Sequence, residues 1–164
     1  DPRKFGRVWL TSHPEEILGN LGPEPLAEDF TCQRFSSMLH AKQRLIKPLL
    51  MDQSFLAGLG NIYTDEALHL ARIHPQSLSH QLSNDEVQQL WQSIRLVLQE
   101  GIRHNGASID WAYRGGEFQD TFRVVQRQGL PCFNCATPIQ RIIVGQRSTY
   151  FCPHCQTISS PATS

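Results

Sequence analysis

The sequence predicts an α+β protein that is mainly α: a helix–two-turn–helix bundle followed by a β-hairpin built around four cysteines. Three observations carry that prediction. Two Cys-x2-Cys knuckles, Cys132-Phe133-Asn134-Cys135 and Cys152-Pro153-His154-Cys155, stand sixteen residues apart. Ser83-Asn84-Asp85-Glu86 opens a long amphipathic helix. Between Phe55 and Tyr63, Gly58 and Gly60 interrupt one helical pattern just before another begins at Asn61.

Each knuckle places two thiolates on one tight turn, and the residues between suffice for a hairpin that returns the chain. Four sulfurs can then meet at the tetrahedral geometry that zinc accepts. Ile139, Ile142, Ile143 and Val144 are β-formers, Gly145-Gln146 supplies a turn, and Thr149-Tyr150-Phe151 leads back. Disulfides or redox pairs are the competing readings. Disulfides belong mostly to small secreted scaffolds, and a redox Cys-x-x-Cys usually occurs once, near a βαβ pattern. One structural Zn²⁺ on Cys132, Cys135, Cys152 and Cys155 is the expectation. Four protein ligands leave no open position, so such a metal holds a fold and does no chemistry.

A length of 164 residues suits one domain, or a core domain with a small appendage. Apolar residues make up 40% of the chain, enough for a buried core. No apolar run approaches the ~18 residues of a membrane span. No secretory signal is visible, which points to a reducing, intracellular setting. Formal net charge is zero, so the total does not advertise nucleic-acid binding, but its distribution is uneven. From Phe118 onward Arg123, Arg127, Arg141 and Arg147 face a single acid, Asp120. Four thiolates on one Zn²⁺ would offset about two of those charges. The chain begins at Asp1 in what reads as mid-strand, which predicts a piece of a longer protein.

Asp1 to Leu10 is basic with interleaved rings, and Val8-Trp9-Leu10 reads as a strand. It is either an exposed edge strand or a loop offering a cation and a ring to nucleic acid. Pro14, Gly19, Gly22, Pro23 and Pro25 punctuate a linker with at most a helical turn at Pro14–Leu18. Asp29 or Thr31 can cap a helix carrying Phe30, Phe35, Met38 and Leu39, with Cys32 as a small core hydrophobe. Lys47-Pro48-Leu49-Leu50-Met51 begins another helix, Pro48 being tolerated in its first turn. The glycine pair then allows two tight turns before a helix running from Asn61 to about Arg72. Asn61 is expected at the cap, beside free backbone N–H groups that can receive an anion. Ser83 and Glu86 form a capping box, and Val87, Leu90, Trp91, Ile94, Leu98 and Ile102 follow at core spacing. That helix should end near His104-Asn105-Gly106. Ala107 to Glu117, with Arg114-Gly115-Gly116, reads as a loop, and Phe118 to Gln126 as strand-like.

Three stretches now carry a resemblance: Asp-Pro-Arg-Lys-Phe-Gly (Asp1–Gly6), Gly-Leu-Gly-Asn-Ile-Tyr (Gly58–Tyr63), and the four-cysteine ribbon with Gly-Gln-Arg-Ser-Thr-Tyr-Phe (Gly145–Phe151). In this order they resemble the formamidopyrimidine-DNA glycosylases, repair enzymes that excise oxidised purines such as 8-oxoguanine. The resemblance covers essentially the whole chain. It implies the end of a β-sandwich domain at residues 1–13, a helix–two-turn–helix domain at 14–117, and a zinc finger at 118–164. The implied partner is damaged double-stranded DNA, bound by a monomer in the cytoplasm or nucleoid. Asn61 matches an asparagine that bonds DNA phosphate, and Arg147 a zinc-finger arginine that grips phosphate, a fork suited to that task. Arg3 matches the reader of the orphaned cytosine, Phe5 the ring wedged beside it, and Lys47 a lysine near the damaged nucleotide. Residues 107–117 correspond to the loop that closes over the flipped base.

Two departures are visible. The family has Tyr where Val125 stands, so a hydroxyl contact is lost. Its nucleophile is an N-terminal proline followed by a glutamate, which forms a Schiff base at C1′ and cuts the strand by β,δ-elimination. Pro2 does not match: its nitrogen is an amide, and Arg3 follows. No catalytic residue is therefore expected in this chain. The leading function is the DNA-binding part of a bifunctional glycosylase/lyase for oxidised purines. The alternatives are an oxidised-pyrimidine enzyme of the same superfamily, a freestanding DNA-binding module, and a zinc-ribbon protein-interaction domain.

Overall fold

The computed structural model describes residues 8–108 and 115–158. Among these, five helices precede one hairpin: α1 (Glu15–Leu18), α2 (Cys32–His40), α3 (Ile46–Leu50), α4 (Asn61–Leu70) and α5 (Asn84–Arg103), then β1 (Gln140–Val144) and β2 (Arg147–Phe151). The mainly helical fold with a cysteine-bearing hairpin agrees with the expectation. Arg3, Phe5 and the centre of the 107–117 loop lie outside the described residues.

Local chemistry explains where the helices start and stop. Thr31, not Asp29, caps α2 by accepting the Arg34 N–H. At α5 the capping box is complete: Ser83 Oγ accepts from Glu86 N–H while the Glu86 carboxylate accepts from Ser83 N–H at 2.8 Å. The far end closes with Gly106 N–H on Gly101 O at 2.7 Å and Asn105 in the left-handed region, the two marks of a Schellman stop. Val87, Leu90, Ile94 and Val97 form the buried stripe of α5, against which α4 packs. Phe30, Phe35, Leu39, Leu49, Leu56, Leu59 and Leu68 complete the core. Cys32 packs against it, half-buried. Each fully buried side chain of this kind contributes about 1.5–3 kcal/mol.

The hairpin is short and antiparallel, with Val144 opposite Arg147 and Gln140 opposite Phe151. Its two-residue turn has Gly145 and Gln146 both at positive φ, 56° and 62°. That geometry matches the right-handed twist of paired strands.

Three expectations fail for physical reasons. Val8 to Leu10 form no strand; they are exposed and unpaired among the described residues, and β-forming side chains do not make a strand without a neighbour to bond. Phe118–Thr121 is a 3₁₀ turn, and the backbone after it is not a strand. The N–H groups of Arg123, Val124 and Val125 go instead to the carboxylate of Glu66 on α4. Ile102, which continues the apolar period, is 66% exposed on the last turn of α5. Among the described residues no helix is long and apolar enough to cross a membrane.

Candidate nucleic-acid interface and metal centre

The four knuckle cysteines converge. Their Sγ atoms all lie within 4.8 Å of one another. Cys135 stands 3.4 Å from both Cys152 and Cys155, and Cys132 stands 3.9 Å from Cys155. A tetrahedron with Zn–S bonds of about 2.3 Å has edges of about 3.8 Å, so the spacing fits a metal. It is far too long for disulfides. Backbone donors already face the sulfurs, Asn134 N–H on Cys132 and Cys155 N–H on Cys152. Burial and the neighbouring thiols push Cys152 and Cys155 up, whereas hydrogen bonds from Thr137 hold Cys135 down at about 6. Four sulfurs so close cannot all ionise without a cation, and a dication would supply what the cluster lacks.

The second feature is the start of α4. Asp52 begins the approach, accepting from Ser54 N–H and Oγ–H and from Arg44. Gln53 then braces the turns: its Oε1 accepts from Gly58 N–H and its Nε2 donates to Leu59 O. Gly58 sits at φ +79°, where a side chain would be strained. The cap residue is Gly60, not Asn61. It is extended, brings no side chain to the helix end, and a Cβ there would meet nothing within 4 Å. Asn61 is the first helical residue. Its Oδ1 is buried without a hydrogen-bond partner among the described residues. An open helix N-terminus with an adjacent amide is a place for an anion.

Arg147 opens β2 and is exposed. The other arginines of this region are engaged. Arg123 pairs with Glu100 at 3.2 Å; Arg127 donates to Arg123 O and Pro131 O and lies 3.5 Å from the centroid of the Phe133 ring. Arg141 donates to Ser148 Oγ at 2.7 Å. Arg147 makes no ion pair among the described residues, so its fork is available.

Lys47 is where the structure departs most from the resemblance. Its side chain is fully buried, and its ammonium reaches no solvent from which a nucleotide could approach. It ion-pairs with Asp65 at 2.7 Å and donates to Ser148 O and Thr149 Oγ1. Burial pushes the Asp65 carboxyl up to about 6 while the Lys47 charge pulls it back; burial likewise lowers Lys47, with Arg147 adding to that effect. Asp65 also accepts the Tyr150 N–H at 2.9 Å. Lys47 and Asp65 therefore fasten β2 to the helical body, a short distance from Arg147 on the strand and one turn from Asn61 on the helix.

Of the 107–117 loop only the neck is described. Ser108 Oγ donates to Gly116 O and accepts from Gly116 N–H, while Gln119 bonds Ser108 N–H and Gly116 O. A Cβ on Gly116 would lie 2.2 Å from Gly106 O, so only glycine closes this neck. Sequence reasoning missed the polar interior of α4: Thr64, Asp65, Glu66 and His69 are all buried. No local signal marks them, since Asn61, Asp65 and His69 recur at i, i+4, i+8 and read as an ordinary solvated face. Val125, in place of the expected tyrosine, is buried with its N–H on Glu66.

Residues 21–112 match the family described as the formamidopyrimidine-DNA glycosylase H2TH domain, and residues 129–158 the zinc finger found in FPG and IleRS. The formamidopyrimidine-DNA glycosylase of Herpetosiphon aurantiacus is 47% identical over 95% of this chain and 59% of its own length. That of Pediococcus pentosaceus is 45% identical over 96% and 60%. The chain thus spans about three-fifths of the curated relatives it matches. The MutM (Fpg) protein of Thermus thermophilus superposes with a TM-score of 0.87 at 42% identity, over 95% of this chain and 62% of that one. A MutM structure in complex with DNA containing carbocyclic 8-oxo-G gives 0.87 at 40% identity, over 96% and 59%.

Proposed function

The chain belongs to the formamidopyrimidine-DNA glycosylase family, and from that premise we propose that it is the DNA-binding part of a bifunctional glycosylase/AP lyase. The whole enzyme removes oxidised purines, 8-oxoguanine and formamidopyrimidines, and cuts the strand by β,δ-elimination. It works as a monomer inside the cell. The observation that carries this reading is the start of α4, which no side chain caps and where backbone N–H donors stand beside the Asn61 amide, accompanied by Arg147 on β2, which makes no ion pair among the described residues. Backbone N–H groups and the Asn61 amide take one phosphate, and the Arg147 guanidinium takes phosphate in a bidentate fork. Arg3 bonds the base left unpaired when its partner flips, and Phe5 fills the gap in the stack. Residues 107–117 close over the extruded base. Cleavage is not assigned to this stretch, because the Pro2 nitrogen is tied up in the Asp1–Pro2 amide.

One Zn²⁺, bound by Cys132, Cys135, Cys152 and Cys155, supplies cross-linking and charge, with no open position for catalysis. The chain's own residues do the rest: the knuckle N–H groups orient the sulfurs, and Lys47 with Asp65 sets the strand that carries Arg147. The experiment is a binding titration against duplex containing an abasic-site analogue and against undamaged duplex, over a range of salt. Asn61→Ala and Arg147→Ala should weaken both complexes alike, and Arg147→Ala should flatten the salt slope by about one unit. A loss confined to one base sequence would overturn the phosphate assignment.

A further inference from the structure

Beyond the metal ligands, one buried side chain faces the cysteine cluster from outside the finger. His69 lies on the inner side of α4, 1% exposed, with Nε2 3.5 Å from Cys132 Sγ. Its other ring nitrogen, Nδ1, is buried with no partner among the described residues. Burying a ring nitrogen without a partner is costly, and a purely packing role would be filled at lower cost by an apolar ring. The contact at Nε2 is therefore what the residue contributes.

We propose that His69 is a positioning residue for the metal centre, donating its Nε2–H to the zinc-bound sulfur of Cys132. This rests on the zinc reading above. A four-thiolate site carries net negative charge, and hydrogen bonds to sulfur disperse it. The knuckle N–H donors come from residues two or three positions along the chain. His69 comes from 63 residues away, on the helix whose first residue is Asn61. The proton belongs on Nε2 for two reasons. With it on Nδ1, the Nε2 lone pair would point at the thiolate lone pairs, and a buried N–H would have no acceptor.

The test uses zinc-loaded and cobalt-loaded chain, comparing wild type with His69→Phe, which keeps a ring but no donor, and His69→Gln, which keeps a donor. Zinc transfer to a chromophoric chelator should be about ten-fold faster in His69→Phe, the low end for loss of an outer-sphere partner. The rate in His69→Gln should fall between the two. The thiolate-to-cobalt charge-transfer band should move to lower energy in His69→Phe. Equal release rates and an unmoved band in folded His69→Phe would overturn the proposal while leaving the zinc reading intact. A chain that takes up no zinc at all would overturn both. Should His69→Phe not fold, nitrogen-15 imidazole spectra of the zinc-loaded wild type decide: a proton on Nε2 supports the assignment, and a bare Nε2 sinks it.

Discussion

The helical body and the hairpin are held together by different physics. In the body, Phe35, Leu39, Leu50, Leu68, Leu90 and Ile94 are buried almost completely, and water exclusion does the work. The hairpin is only five residues per strand, and Ile143 on it is 63% exposed. It buries too little to stand on apolar contact, as expected of an isolated two-stranded ribbon. Four sulfurs converge at its base instead, and the polar interior of α4 clasps it from the side. The helical body should therefore tolerate loss of a metal, and the hairpin should not.

Removing the metal tests that contrast at its strongest. Chelation, or Cys152→Ser, should dissolve the hairpin while α2, α4 and α5 persist, because zinc binding of this kind is worth on the order of 10 kcal/mol. Amide chemical shifts would show it: loss confined to residues after about 129 supports the contrast, and an intact hairpin without metal breaks it. Next comes the clasp. Lys47→Met strips the buried Asp65 of its counter-ion, leaving the Tyr150 N–H as its remaining donor among the described residues, and should cost about 3–5 kcal/mol in a urea melt. Replacing Asp65 with Leu as well should recover much of that loss. A comparable single-mutant and double-mutant cost would mean the pair is not the tie described.

Within the body, Leu68→Ala should lower stability by about 3 kcal/mol through the cavity it leaves. Zinc release rates should not change, and a release rate that follows the stability loss would erase the distinction between regions. The smallest effect is at Asp52. Arg44 and Ser54 hold its carboxyl down to about 2. A depressed folded-state value adds stability that is complete above the usual carboxylate range, about pH 4, and disappears as pH falls toward 2. Asp52→Asn should therefore lower stability modestly at neutral pH, converge with wild type near pH 2 and so flatten the acid limb of the stability curve, which acid titration of the melting point would reveal.

The features legible in the sequence are those whose partners are close along the chain. The knuckles, the Ser83–Glu86 capping box, the Gly145-Gln146 turn and the period of α5 all act within a few residues. The clasp was illegible because Glu66 meets Arg123 57 residues on and Asp65 meets Tyr150 85 residues on. Nothing local at Glu66 foretells that its carboxylate will collect three backbone N–H groups. The same interaction removed the strand expected at Phe118–Gln126. Lys47 shows the reverse error: family position suggested a DNA contact, and only the burial of its ammonium reveals a fastening. Gly60 displaced Asn61 from the cap because an extended backbone, rather than a side-chain acceptor, starts α4.

Those same separations bear on the order in which the chain assembles. The cysteine ligands span only 23 residues, from Cys132 to Cys155, so the finger can close on itself early. The Lys47–Thr149 bond closes a loop of 102 residues. Contacts across such distances form late, since the loop's entropy is lost before they can repay it. The finger should thus mature as a separate unit and seat on the helices last. Until that final step, Asn61 and Arg147 would lie on parts of the chain not yet joined, and a newly made chain would not yet hold its proposed phosphate-binding pair together.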